Sequence, residues 1–341
     1  MYARFLFGVV LVGLLVAAPA VLLRTLGLFA GCSAAGTSQD LFVAYCNNDA
    51  GFSYFEHGAY YFALPTAVSD RIRAANVVFL GSSRMQHVFS SLATKQFFRE
   101  RNVAHYLLGF SYGEQDAFEG ELLDRLTVKP KVLVVNADPF FSGAISPVAT
   151  WVMQHGRARE EMYVKAFAQW LDRAFCSEGG YLSSAADCSE HPRGVKSSGA
   201  VIFRSRHDGS WDLSRWCQSC RERVLPFEEA DVDSITLLRL RQRAEAFVRR
   251  SGVPAACVIL TVVPSPEFKG SASALAAAIG ARVVQPRLDA ADITTLDGSH
   301  LSPVSAEKWS AEFLREAWPY MAQCLDSGSK SDSSIPTAGA S

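Results

Sequence analysis

The sequence lacks a charge imbalance: 33 basic and 34 acidic residues leave a net charge of −1 across 341 residues. No global field therefore selects nucleic acid or a strongly acidic partner. It also lacks an internal repeat, which excludes solenoid and propeller arrays. Charge is missing altogether from Phe5 to Leu23 (FLFGVVLVGLLVAAPAVLL), between Arg4 and Arg24. These 19 residues can cross a bilayer core of roughly 30 Å as a helix. The run exceeds the 7–15 residues usual in a signal-peptide core. Two cleavage points compete, at Ala17–Ala20 and at the lipoprotein-box-like Phe29–Cys32, but Pro19 disfavours the first and Arg24 interrupts the second. Residues 1–30 are thus expected to be a retained signal anchor.

Eight cysteines are present, and eight allow 105 pairings, so connectivity is not deducible. In chain order they form four pairs: Cys32/Cys46, Cys176/Cys188, Cys217/Cys220 and Cys257/Cys324. Such usage suits an oxidising compartment. The expectation is a single pass of the inner (cytoplasmic) membrane, with the body periplasmic or otherwise extracytoplasmic. Residues 31–70 are aromatic-rich without a period (Phe42, Tyr45, Phe52, Tyr54, Phe55, Tyr60, Tyr61, Phe62) and read as a connector packed on the following domain.

That domain, residues 71–325, alternates strand and helix. Val77–Leu80 is a short buried strand, followed by a helix over 89–101, a strand over 103–108 and an amphipathic helix over 114–126. Lys131–Val135 makes a third strand. After residue 227 come a helix over 233–250 capped by Gly252, a strand over 256–263, a helix over 271–279 and a strand over 281–284. In the 233–250 helix, Leu237, Leu238, Leu240, Ala244 and Phe247 are expected inside. Pro303 stands near the start of a last helix reaching about Met321, and 326–341 reads as a disordered tail. This alternation predicts an α/β fold with a mostly parallel five-stranded sheet and right-handed crossovers. Residues 140–227 interrupt it as a cysteine-containing insertion, read as a cap over the strand ends. Arg204, Arg206, His207, Arg215, Arg221 and Arg223 make it locally basic, a solvated face or a grip on an anionic glycan or phosphate.

Chemistry concentrates at Gly81-Ser82-Ser83-Arg84, directly after the first strand, where open α/β sheets place ligands. A serine hydroxyl needs a base to take its proton, and the base needs an acid to hold its tautomer. Asp297-Gly298-Ser299-His300 supplies both on one turn before the last helix. Arg84 offers a grip on a substrate carboxylate or a structural ion pair.

This layout resembles the SGNH (GDSL-like) hydrolase superfamily, over about Ala75 to Met321 without the insertion. Gly81-Ser82-Ser83 is similar to the first family block, with Ser82 where aspartate is usual, and Asp297-Gly298-Ser299-His300-Leu301 to the last. The resemblance implies a flavodoxin-like three-layer α/β/α sandwich, with Ser83 as nucleophile, His300 as base and Asp297 as orienting acid. It further implies an oxyanion hole from the Ser83 N–H, a glycine after the second strand (Gly113, or else Gly109) and an asparagine. Asn136 stands after the third strand without the family's Gly-x-Asn-Asp. Like anchored family members, the chain would be an esterase or O-acetyltransferase acting on acyl groups, most simply acetyl, of a cell-envelope polysaccharide or other acylated glycan. It would need no cofactor or metal, and a transferase would have a membrane acyl-donor protein as partner. Two alternatives stand beside this. One is a non-catalytic glycan-binding or assembly protein with a degenerate site. The other is an envelope thiol-disulfide protein centred on Trp216-Cys217-Gln218-Ser219-Cys220, which resembles a thioredoxin Cys-x-x-Cys but has no strand before it.

Overall fold

The computed structural model describes residues 38–46, 55–64, 68–176, 201–214, 223–224, 232–265, 272–289 and 293–327, with the isolated Tyr2 and Gly8. The expected anchor, Cys32, Cys188, the Cys217/Cys220 motif and the tail beyond Ser327 lie outside the described residues. Among the described residues, no helix is long and apolar enough to cross a membrane.

Five strands form one sheet in the order His105–Leu107, Val77–Leu80, Val132–Asn136, Val258–Thr261, Arg282–Val283. Every neighbouring pair is parallel, with Val77 opposite both His105 and Val132, Leu133 opposite Val258, and Ile259 opposite Arg282. Numbered along the chain, the order is 2-1-3-4-5, the flavodoxin-like arrangement, whose switch point lies between the first and third strands. The three central strands are short, almost wholly apolar and fully buried, as in a parallel sheet covered on both faces. Val77, Phe79, Val132, Val134 and Ile259 share one core with Trp309, Phe313, Ala317 and Met321 of the last helix. Strand alternation turns Val78, Leu80, Leu133 and Val135 to the opposite face. On the helical side of that layer, Phe247 of the Ser234–Ser251 helix packs edge-on to Phe140. Arg250 of the same helix bonds Asp124 and Glu121 of the Asp116–Arg125 helix.

Several boundaries moved for local reasons. The expected helix over 89–101 is Leu92–Glu100, and a further helix that was not expected, Ser83–Phe89, precedes it. The later helix starts at Ser91, whose hydroxyl accepts the Thr94 N–H at 3.2 Å and so caps it. The Ser234–Ser251 helix is capped as its sequence indicates, by Asp233 accepting from Ile235 and Thr236 and by Gly252 at φ +71°. Ala244 and Phe247 are buried, whereas Leu238 is exposed and Val248 is buried instead. The last helix runs from Pro303 to Ser327, past Pro319 and into the expected tail. Cys324 in its extra turn is bonded to Cys257, just before the fourth strand. Cys46 is also in a disulfide.

The connector does not simply lead into the sheet domain. It belongs with Val152–Ser205 and Asp212–Gln218 to one compact unit, while Thr66–Trp151, Arg206–Trp211 and the chain from Ser219 make the other. In the first unit, Leu41–Cys46 pairs antiparallel with Val201–Ser205 of the insertion. The register shifts between Val43 and Tyr45. There Gln169 satisfies Val43, its Oε1 accepting the N–H at 3.1 Å and its Nε2 donating to the carbonyl at 3.2 Å. Arg204 is a correction to the basic-face reading: it is fully buried, 3.0 Å from Glu56 Oε2 and stacked over Tyr60. A guanidinium without water requires such partners.

The Cys257–Cys324 bond closes a loop with a sequence separation of 67. Loop-closure entropy assigns such a link about 4 kcal/mol. Cys324→Ser should therefore lower the denaturant midpoint of unfolding while leaving far-ultraviolet circular dichroism of the native state unchanged. An unaltered midpoint would show that the last helix holds without the link.

Candidate active site

The first strand delivers its residues to the site through a tightly specified turn. Gly81 sits at φ +144°, and a Cβ there would come within 3.0 Å of Asn136 Cβ. Its N–H donates to buried Glu119 Oε2 at 2.9 Å, and its carbonyl accepts from Phe110 N at 3.1 Å. Ser82, extended at φ −71°, is the N-cap, so Ser83 is the first residue of the helix and not part of a free loop. A first helical residue has no intrahelical acceptor for its N–H. One turn on, buried Gln86 accepts the Gly109 N–H at 3.0 Å and donates to the Gly209 carbonyl at 2.6 Å, joining two loops of this unit.

The expected acid and base, Asp297 and His300, come from a second tight turn. Leu296 N–H donates to the His300 carbonyl at 2.8 Å, and Gly298 takes φ +85° at the bend. Asp297 Oδ1 accepts the N–H groups of Ser299 at 2.9 Å and His300 at 2.8 Å. Its Oδ2 lies 2.8 Å from His300 Nδ1, and His300 Nε2 lies 2.9 Å from Ser83 Oγ. Burial alone would raise the Asp297 pKa. The hydrogen bond and attraction of His300, with the two backbone N–H groups, outweigh it and hold the carboxyl well below the usual carboxylate range. With the carboxylate ionised, Nδ1 carries the ring proton and donates to it. Nε2 then offers its lone pair to the Ser83 hydroxyl.

The expected oxyanion donors divide. Ser83 is at the helix start, and Gly113 ends the 3-10 turn Ser111–Gly113 at φ +66°, with open space where a Cβ would stand. Gly109 is a correction, because its N–H is already bonded to Gln86 Oε1. Asn136 is buried, accepts the Val263 N–H at 3.0 Å through Oδ1 and donates one Nδ2 N–H to the Asp138 carbonyl at 3.3 Å, bracing two strand ends.

Sequence reasoning missed Glu119, Gln86 and His87. Gln86 and His87 stand three and four residues after Ser83, the spacing of one helical face, and starting the helix at Ser82 would have pointed to them. The His87 ring is buried, 5.6 Å from the His300 ring. Burial first, and the nearby His300 second, push its pKa down to about 3, against a smaller pull from Asp297. Among the described residues, no group of three His, Cys, Asp or Glu side chains is placed to hold a metal ion.

The depressed His87 value fixes a sign. The unfolded chain takes up a proton near pH 6.5 that the folded chain refuses until about pH 3, so stability is full above pH 6.5 and falls as pH drops through that window. Between pH 7 and pH 5 this costs roughly 2 kcal/mol. His87→Gln should flatten the difference between denaturant midpoints at pH 7 and pH 5, and an undiminished difference would assign the acid sensitivity to other groups. Comparison with protein-family models, curated proteins and solved structures yields no match, so the reading of this site rests on its own chemistry.

Proposed function

We propose that this chain is an SGNH-type serine esterase or O-acyltransferase acting on acyl groups, most simply acetyl, of a cell-envelope glycan. The observation that carries the reading is the continuous hydrogen-bonded series Ser83 Oγ, His300 imidazole, Asp297 carboxylate, with contacts of 2.9 and 2.8 Å. Ser83 Oγ attacks the ester carbonyl as His300 Nε2 takes its proton. The tetrahedral oxyanion collapses, and the leaving alcohol recovers that proton from His300. Water or a sugar hydroxyl, deprotonated by His300, then attacks the acyl-serine and releases an acid or a new ester. Asp297 steadies the imidazolium throughout. The N–H groups of Ser83 and Gly113 are the proposed oxyanion donors, aimed at charge that exists only in the transition state. An extracytoplasmic body tethered by Phe5–Leu23 is part of this proposal. The Cys257–Cys324 disulfide supports its oxidising compartment. The glycan and the acetyl group rest on the family resemblance.

A second reading, a non-catalytic glycan-binding or assembly protein, is favoured by the bonded state of the Gly109 N–H, which leaves one donor fewer for an oxyanion. Hydrolysis of p-nitrophenyl acetate by the full chain separates the two. Under the enzyme reading, Ser83→Ala and His300→Ala lose about 10⁶-fold in kcat and Asp297→Asn about 10⁴-fold. A Ser83→Ala chain as active as the wild type contradicts it. Acceleration by an added sugar acceptor would mark the transferase.

A further inference from the structure

Arg84 directly follows the proposed nucleophile, and its guanidinium is committed within the fold. Its side chain is 17% exposed. Nε donates to Ser299 Oγ at 3.2 Å, and Nη1 lies 3.7 Å from Asp138 Oδ2. Ser299 stands between the acid and the base, and Asp138 stands just beyond the third strand, whose last residue, Asn136, donates to the Asp138 carbonyl. One side chain therefore joins the nucleophile helix, the acid-base turn and the end of the third strand. All three belong to the same compact unit.

The acid-base turn has strong bonds of its own, from Leu296 N to the His300 carbonyl and from Ser299 N and His300 N to Asp297, and Thr295 bridges Leu301 beside it. These bonds fix the shape of the turn, but all run within residues 295–301. They do not fix its distance from Ser83. The His300–Ser83 bond spans that gap, yet under the proposed chemistry it is lost whenever Ser83 carries an acyl group. The Arg84–Ser299 bond persists through that stage. A guanidinium suits the task, because its planar, permanently charged fork can face a hydroxyl and a carboxylate at once.

We infer that Arg84 is a positioning residue, a latch that keeps the Asp297–His300 turn in reach of Ser83, and not a grip on a substrate carboxylate. The inference rests on the proposed role of Ser83, so its test has one arm that needs no activity. In the full chain, hydrogen–deuterium exchange across residues 293–301 should speed up about ten-fold or more in Arg84→Ala, with the 132–136 strand unchanged. In p-nitrophenyl acetate hydrolysis the same variant should lose about ten- to a hundred-fold in kcat, the cost of a small misplacement, with KM little altered. Arg84→Lys should recover part of both effects. Ser299→Ala should lower kcat in the same way, and the double variant should be no worse than Arg84→Ala, as expected of two residues acting through one contact. Unchanged exchange at 293–301, additive losses, or a raised KM with intact kcat would overturn the latch. If exchange responds as expected while the wild-type chain is inert on the ester, the latch stands and the enzyme reading falls.

Discussion

The two nitrogens of His300 face different partners, and the rest of the site exists to keep them so. Nδ1 points at a carboxylate held ionised by the same turn, and Nε2 points at a hydroxyl 217 residues away in sequence. Neither contact is strong alone in water. Both contacts last only while the turn at Gly81–Ser83 and the turn at Leu296–His300 keep their separation. The bonds of Gly81 to Glu119 and Phe110, of Asp297 to Ser299 and His300, and of Arg84 to Ser299 all bear on that separation.

The sheet makes the meeting possible. In the 2-1-3-4-5 order, the first and third strands are neighbours whose crossovers leave in opposite directions, so their ends open a crevice that helices do not fill. Ser83 and Arg84 stand beyond the first strand, and Asn136 ends the third with Asp138 just beyond it. The cost of building there is a set of carbonyls and N–H groups without ladder partners. Side chains take them up: Gln86 for Gly109 and Gly209, Asn136 for Val263, Glu119 for Gly81. Gly109 thus braces the crevice, its N–H taken by Gln86, although family resemblance offers it as the second candidate for an oxyanion donor.

Much of this was legible from residue order. Short apolar runs marked all five strands, the first, second and fourth ended directly by glycine or proline, and Asp233 and Gly252 marked the ends of their helix. The Gly-Ser-Ser block and the Asp-x-x-His turn stood out because their chemistry needs those residue types. What stayed hidden depends on distant neighbours. Arg204 reads as a surface charge until Glu56, 148 residues earlier, is seen to neutralise it. Leu238 fits the apolar stripe of its helix, yet that stripe faces solvent at its first turn. The partnership of the connector with the insertion carries no local signal, because antiparallel pairing of Leu41–Cys46 with Val201–Ser205 is a long-range event. The start of a helix at Ser83 was readable in principle from Ser82, but two adjacent serines after glycine suggest a plain turn equally well.

The central claim is that Ser83 is activated by His300. The most direct measurement is peptide mapping by mass spectrometry after the full chain reacts with a fluorophosphonate, which phosphonylates a serine, with loss of fluoride, only where a neighbouring base has raised its nucleophilicity. A single stoichiometric adduct on Ser83, absent in His300→Ala, is the predicted result. An unmodified Ser83, or an adduct that persists without His300, would contradict the account.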